Sequence, residues 1–229
     1  MTDNAPMTNE AVDDDPWTQN FYPREGPSTG FDRVVFFTDA VFAISLTLVA
    51  VEIGVPELSD PDSKSELWHA IVEKSPGILA FIVAFAWVAF YWRANHRFTT
   101  TLRGMSSRYI ATFLVYLAFV ALLPFPAGLL GEGILTNPVG ISFFAVFAAC
   151  MSTMEAVLFV VADRQNLFIR PISPQFRRLQ ILGSLSPVPG FLISIPVAFI
   201  YPPAAYVCWI VITIALGWVL SRWLPATAP

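Results

Sequence analysis

Charge is scarce in this sequence. Of 229 residues, 13% are charged, about half the share usual in a soluble domain, while 55% are hydrophobic. Its polar residues are too few to cover one water-soluble domain of that length. Cysteine and histidine are rarer still. Cys150 and Cys208 lie within apolar runs and read as small buried hydrophobes, and His69 and His96 fall in different segments, so no metal-ligand spacing exists. No Ser/His/Asp set, metal motif or phosphate loop stands near a common depth, which argues against an enzyme, and no cofactor is expected.

What is present is apolar sequence in long runs, with the charges crowded into the short segments between them. Six such runs stand at roughly 34–55, 76–97, 109–130, 138–161, 181–200 and 204–223. At about 1.5 Å rise per residue, roughly 20 helical residues cross the ~30 Å hydrocarbon core of a bilayer. The expected fold is therefore an all-α integral membrane protein with six transmembrane helices. Residues 1–30 read as an acidic, flexible tail, without the basic start and short apolar core of a cleaved signal peptide. Residues 31–224 read as the transmembrane domain and 225–229 as a short C-terminal tail.

Basic residues set the orientation. With the N-terminus cytoplasmic, six spans put every arginine on the inner side, from Arg24 and Arg33 through Arg93 and Arg170 to Arg222. Only Lys64 and Lys74 remain outside. The expectation is a multi-pass cell-membrane protein with both termini cytoplasmic. The arginines of "RANHRFTTTLR" and "FRR" (176–178) most simply enforce that topology, with a lipid-headgroup role as the alternative reading. The first outer loop predicts a short surface helix around "SKSELWHAIVEK", with Ser63 as its cap.

Prolines mark the irregular places. Pro124 and Pro126 predict a bend or end in the third span, and Pro187, Pro189 and Pro196 a kink near the start of the fifth. "YPPAA" (201–205) predicts a tight hairpin, flanked by Tyr201 and Tyr206 as interfacial anchors. Trp87, Tyr91 and Trp92 read as packing or belt residues.

The informative stretch is "RVVFFTDAVFAISLTLVAVEIGVP", residues 33–56. On a helix, Ala40, Ile44, Thr47 and Val51 share one face, bordered by Leu48. That face suits close packing against another helix, and it equally suits the lining of a pathway. Asp39 lies in the same run, where an acid costs roughly 2.5–3.5 kcal/mol at mid-span and less near an end, so it should face protein. Arg33, His96 or the Phe37–Thr38 backbone are its candidate partners, and a partner from another helix fits best. Glu155 is the other mid-span acid. A secondary or proton-coupled transporter using Asp39 and Glu155 is the alternative class, although no internal repeat of the transporter kind is detectable.

Arg33, then "FTDA" (37–40), then "VFAISLTLVAVEIGVP" resembles the first helix of the transmembrane protein 175 family, with Thr38 where serine is usual. "YWRANHRF" (91–98) resembles the end of the family's second helix and "LLPFPAGLLGE" (122–132) its third. The later segments match in hydropathy and length. The resemblance implies a potassium channel in which each six-helix repeat contributes its first helix to a central pore. A chain with one repeat forms a homotetramer. It implies that Ile44 is the hydrophobic constriction and that Thr47 forms the layer linked to potassium preference, with Leu48 and Val51 also lining the pore. Arg33, Phe37, Thr38 and Asp39 then form a scaffold, with His96 as partner. No TVGYG-like filter is present, so the expected preference for potassium over sodium is modest. The expected partners are further copies of the chain, the lipid bilayer and permeant monovalent cations, with a K+ pathway near Thr47 and no fixed metal site. No nucleic acid is expected.

Overall fold

In the computed structural model, residues 20–25, 30–51, 53–56, 58–60, 62–132 and 135–223 are described. Six helical spans are long and apolar enough to cross a membrane: Gly30–Val51, Ser75–Thr99, Ser107–Gly131, Pro138–Arg164, Pro174–Ile200 and Pro202–Leu220. The protein is a six-span, multi-pass membrane protein. The first span is helix α1 (Gly30–Val51). Helix α2 (Lys64–Glu73) stands in the loop that follows, capped by the Ser63 side chain, which accepts from the Glu66 amide as expected. Helix α3 (Ser75–Thr99) is the second span.

Proline chemistry divides the third and fifth spans without ending them. The third is α4 (Ser107–Leu122) followed by α5 (Pro124–Glu132). Pro124 has no N–H to give the Val120 carbonyl one turn back. The hydrogen-bond ladder breaks there, yet Leu123 keeps helical angles (φ −59°, ψ −31°) and the span continues. The fourth span is α6 (Pro138–Arg164). The fifth repeats the device: α7 (Pro174–Leu185) gives way to α8 (Pro187–Ile200) at Ser186, whose hydroxyl donates to the Gly183 carbonyl that Pro187 cannot serve. Pro196 lies inside α8 without dividing it.

Several boundaries differ from expectation. The first helix begins at Gly30 and ends at Val51, ahead of the expected 55, and Gly54 then turns with a φ of +65°. The fifth span begins at Pro174, so "FRR" (176–178) is helical and not loop; Ser173 caps it and Pro174 suits the first turn. The prolines of "YPPAA" open the sixth helix, α9 (Pro202–Trp223), leaving Tyr201 as the one extended residue of the hairpin. Both cysteines are half-buried.

The acidic tail also needs correction. Strand β1 (Phe21–Pro23) pairs antiparallel with β2 (Gly104–Ser106), Phe21 opposite Ser106 and Pro23 opposite Gly104. A side chain at Gly104 would run into Phe21 and the Tyr22 carbonyl, which is why glycine suits that position. The remainder of the tail, 1–19 and 26–29, and the C-terminal 224–229 lie outside the described residues.

Aromatic rings fill the centre, with Phe113 stacked on Tyr116 and Phe144 on Trp209. Helices α8 and α9 lie close because Gly190 faces the Cys208 carbonyl, where a Cβ would be only 3.0 Å away. The Trp209 indole donates to Ser194 Oγ at 2.7 Å across the same seam. Tyr206, expected as a belt residue, donates its hydroxyl to the Leu135 carbonyl.

Candidate functional site

Helix α1 has two faces of different character. One packs into its own chain: Phe31, Thr38, Phe42, Ser45 and Val49 are buried. The Ser45 hydroxyl donates to the Val120 carbonyl at 2.8 Å, taking the place of the N–H that Pro124 lacks. Phe42 meets Tyr116 at 6.2 Å between ring centroids. Thr38 returns its hydroxyl to the Val34 carbonyl at 2.8 Å, so a polar residue is buried without an open donor.

The opposite face is open along its whole length. Arg33, Phe37, Ala40, Ile44, Thr47, Leu48 and Val51 are all exposed. Ile44 is 57% and Val51 70% exposed, so their own chain leaves both uncovered. Thr47 Oγ1 donates to the Ile44 carbonyl at 2.8 Å. Its proton is thereby committed within the helix, and its lone pairs remain available on the open side. Ile44 and Thr47 are one helical step of three apart, roughly 4.5 Å along the axis. An apolar layer and an oxygen layer therefore adjoin.

The four motif residues do not form one cluster. Thr38 faces the core, whereas Arg33 and Phe37 lie on the open face. Asp39 is held from α3, but by a residue that sequence reasoning passed over: Trp92 Nε1 donates to Asp39 Oδ1 at 2.9 Å. His96, one turn on, stacks on the Trp92 ring at 5.4 Å. It supports Asp39 through the indole, and among the described residues no hydrogen bond joins it to the carboxylate. The signal for Trp92 was its position four before His96 in "YWRANHRF", which puts both on one face. Ser45 was also missed, being a small residue in an apolar run. Tyr91, one residue before Trp92, is buried and bonds Ser152 Oγ at 2.7 Å.

Glu155 has a separate environment. It accepts from the Tyr116 hydroxyl at 3.4 Å, and no hydrogen bond joins it to Asp39 among the described residues.

Residues 33–124 match the family model for the endosomal/lysosomal potassium channel TMEM175. That stretch holds the whole of α1 after its first turn, the Asp39–Trp92 pair and the Ser45–Val120 bond. Over those residues the chain is similar to the TMEM175 family. A potassium channel of Streptomyces collinus is 28% identical over 179 residues, covering 75% of this chain and 84% of that protein. One from Chamaesiphon minutus is 31% identical over 100 residues, 44% of this chain and 49% of that one. The fold is similar to the crystal structure of a lysosomal potassium-selective channel TMEM175 homolog from Chamaesiphon minutus, with a TM-score of 0.65 at 22% identity. The match covers 84% of this chain and 99% of that chain.

Proposed function

We propose that this chain is a potassium-permeable channel of the TMEM175 family, in the cell membrane. Four copies assemble with their first helices around a central pore and with both termini cytoplasmic. The observation that carries the reading is the open face of α1. Ile44, Thr47, Leu48 and Val51 are left without cover by their own chain, while the reverse face is fastened to α3 and α4. Four such faces around one axis cover one another and enclose a path. The relatives named as potassium channels supply the ion.

In that assembly Ile44 forms the constriction. A narrow ring of isoleucines favours the dry state over a thread of water and so resists ions, and a small dilation admits them. Thr47 forms the adjoining layer. Its hydroxyl proton is already given to Ile44, so four oxygens present lone pairs to a cation and replace part of its hydration shell. Hydroxyl layers without a rigid carbonyl filter give a modest preference for potassium over sodium.

The test is recording from protein reconstituted in planar bilayers under opposed potassium and sodium gradients. Discrete unitary currents that reverse toward the potassium equilibrium potential are expected. Transport without unitary events, saturating at a fixed turnover, would assign the chain to the carrier class instead.

A further inference from the structure

A cavity of about 1030 Å³ opens at the arginine-rich end of the bundle, away from the open face of α1. Its walls come from the last turns of α3, the second half of α6, residues 168–173 and α7. They are of two kinds. Phe90, Leu158, Phe159, Phe168, Phe176 and Pro187 are apolar, and Arg93, Arg97 and Arg170 are cationic. Ser173, the N-cap of the twelve-residue α7, also lines it, so the positive end of that helix points the same way.

Among the described residues these arginines have no ion-pair partner. The ion pair found among the described residues joins Arg177 to Asp163, and neither lines the cavity. Glu155 is the cavity's acid, but it bonds Tyr116 and lies outside ion-pair distance of all three arginines. A second observation is independent of charge. Asn95 is 7% exposed, faces the cavity, and its carboxamide makes no hydrogen bond among the described residues. Its polar atoms open onto the cavity, where a polar group placed beside them can hydrogen-bond to the amide.

Three guanidinium forks and an amide, set beside a long aromatic wall, match a molecule with a phosphate anion at one end and hydrocarbon at the other. Phe90 and Ile169 are exposed at the lip, which offers hydrocarbon a way in from the bilayer. We propose that this cavity binds one anionic phospholipid per chain, its phosphate held by Arg93, Arg97 and Arg170 and an acyl chain lying along Phe159 and Phe168. Guanidinium recognises phosphate bidentately, and basic pockets between membrane helices are suited to such headgroups.

The test is native mass spectrometry of the full-length protein in mild detergent with phosphatidylglycerol or phosphatidylcholine added. Wild type is expected to retain one phosphatidylglycerol per chain in preference to phosphatidylcholine. Arg93→Gln/Arg97→Gln/Arg170→Gln is expected to bind phosphatidylglycerol about 100-fold more weakly, at roughly fivefold for each basic residue near an anionic headgroup. Arg178→Gln, exposed on α7 outside the cavity, should bind as wild type does. Gly183→Leu keeps every charge and meets no atom within 4 Å at its Cβ, so its side chain takes cavity space and should also lower retention. Equal retention of the two lipids by wild type would overturn the proposal. So would wild-type retention in both the triple variant and Gly183→Leu. Displacement of the lipid by millimolar inorganic phosphate would make the ligand a soluble anion. That result rejects the lipid.

Discussion

Ser45 and Val120 are joined by a 2.8 Å hydrogen bond that exists because residue 124 is proline. The bond lies on the inward face of α1, opposite the face left open. Ser45→Ala is expected to remove one of the two hydrogen bonds on the Val120 carbonyl, which keeps the Leu123 amide, at about 0.5–1.5 kcal/mol per chain. A fall in thermal unfolding temperature in detergent is the readout. An unchanged value would mean that packing alone orients the helix.

Asp39 and Trp92 form the second fastening. Trp92→Phe keeps an aromatic ring but removes the indole donor, and it is expected to lower assembly yield more than it alters ion preference. Asp39→Asn should do likewise, since the uncharged acceptor makes a weaker bond. A double-mutant cycle should give a coupling of about 0.5–3 kcal/mol. A coupling near zero, or normal assembly with lost pH-dependent flux, would shift Asp39 from a structural to a proton-handling role.

Glu66 tests the outer loop. Its carboxylate accepts the backbone amides of Ser59 and Asp60, in that order of importance, and these bonds hold its pKa below the usual carboxylate range. A lowered pKa means that the ionised form favours the folded loop. Protection of the two amides should therefore be full above the ordinary glutamate pKa and disappear only as pH falls through the depressed value. Glu66→Gln should reduce it at neutral pH, as read by hydrogen exchange. Amides that stay protected in Glu66→Gln would show that the loop is held by other contacts.

Thr47→Ala removes an oxygen layer without adding bulk. Conduction should persist while the reversal potential under mixed potassium and sodium moves toward the non-selective value. If the reversal potential stays put, Thr47 does not discriminate between the ions.

Ile44→Asn should raise basal current. Asparagine is close to isoleucine in size and carries donors and acceptors, so it wets an apolar ring without widening it much. The same change at a helix-packing position would bury an amide without partners and lower both current and yield. Current normalised to the assembled protein recovered separates the two by sign. A well-assembled variant with wild-type leak would remove the hydrophobic gate.

Much of the architecture could be read directly from the chain. Six spans, the cap at Ser63 and the interruptions at Pro124 and Pro187 are local consequences of hydropathy, side-chain reach and a missing N–H, so they need no knowledge of neighbours. The shared face of Ala40, Ile44, Thr47 and Val51 is likewise helical arithmetic. Whether that face would be covered was undetermined, because packing and pore lining demand the same small and β-branched residues. Only the tertiary structure showed that the chain itself leaves the face uncovered, with Ser45 turned toward Val120 and Ile44 outside. It also decided that Asp39 is held by Trp92 with His96 behind, since an indole 53 residues away becomes a donor only when two helices cross at the right height. It set the pairing of Phe21–Pro23 with Gly104–Ser106, which no pattern within three residues announces. Periodicity determines which residues share a face; what that face meets depends on how the other helices pack.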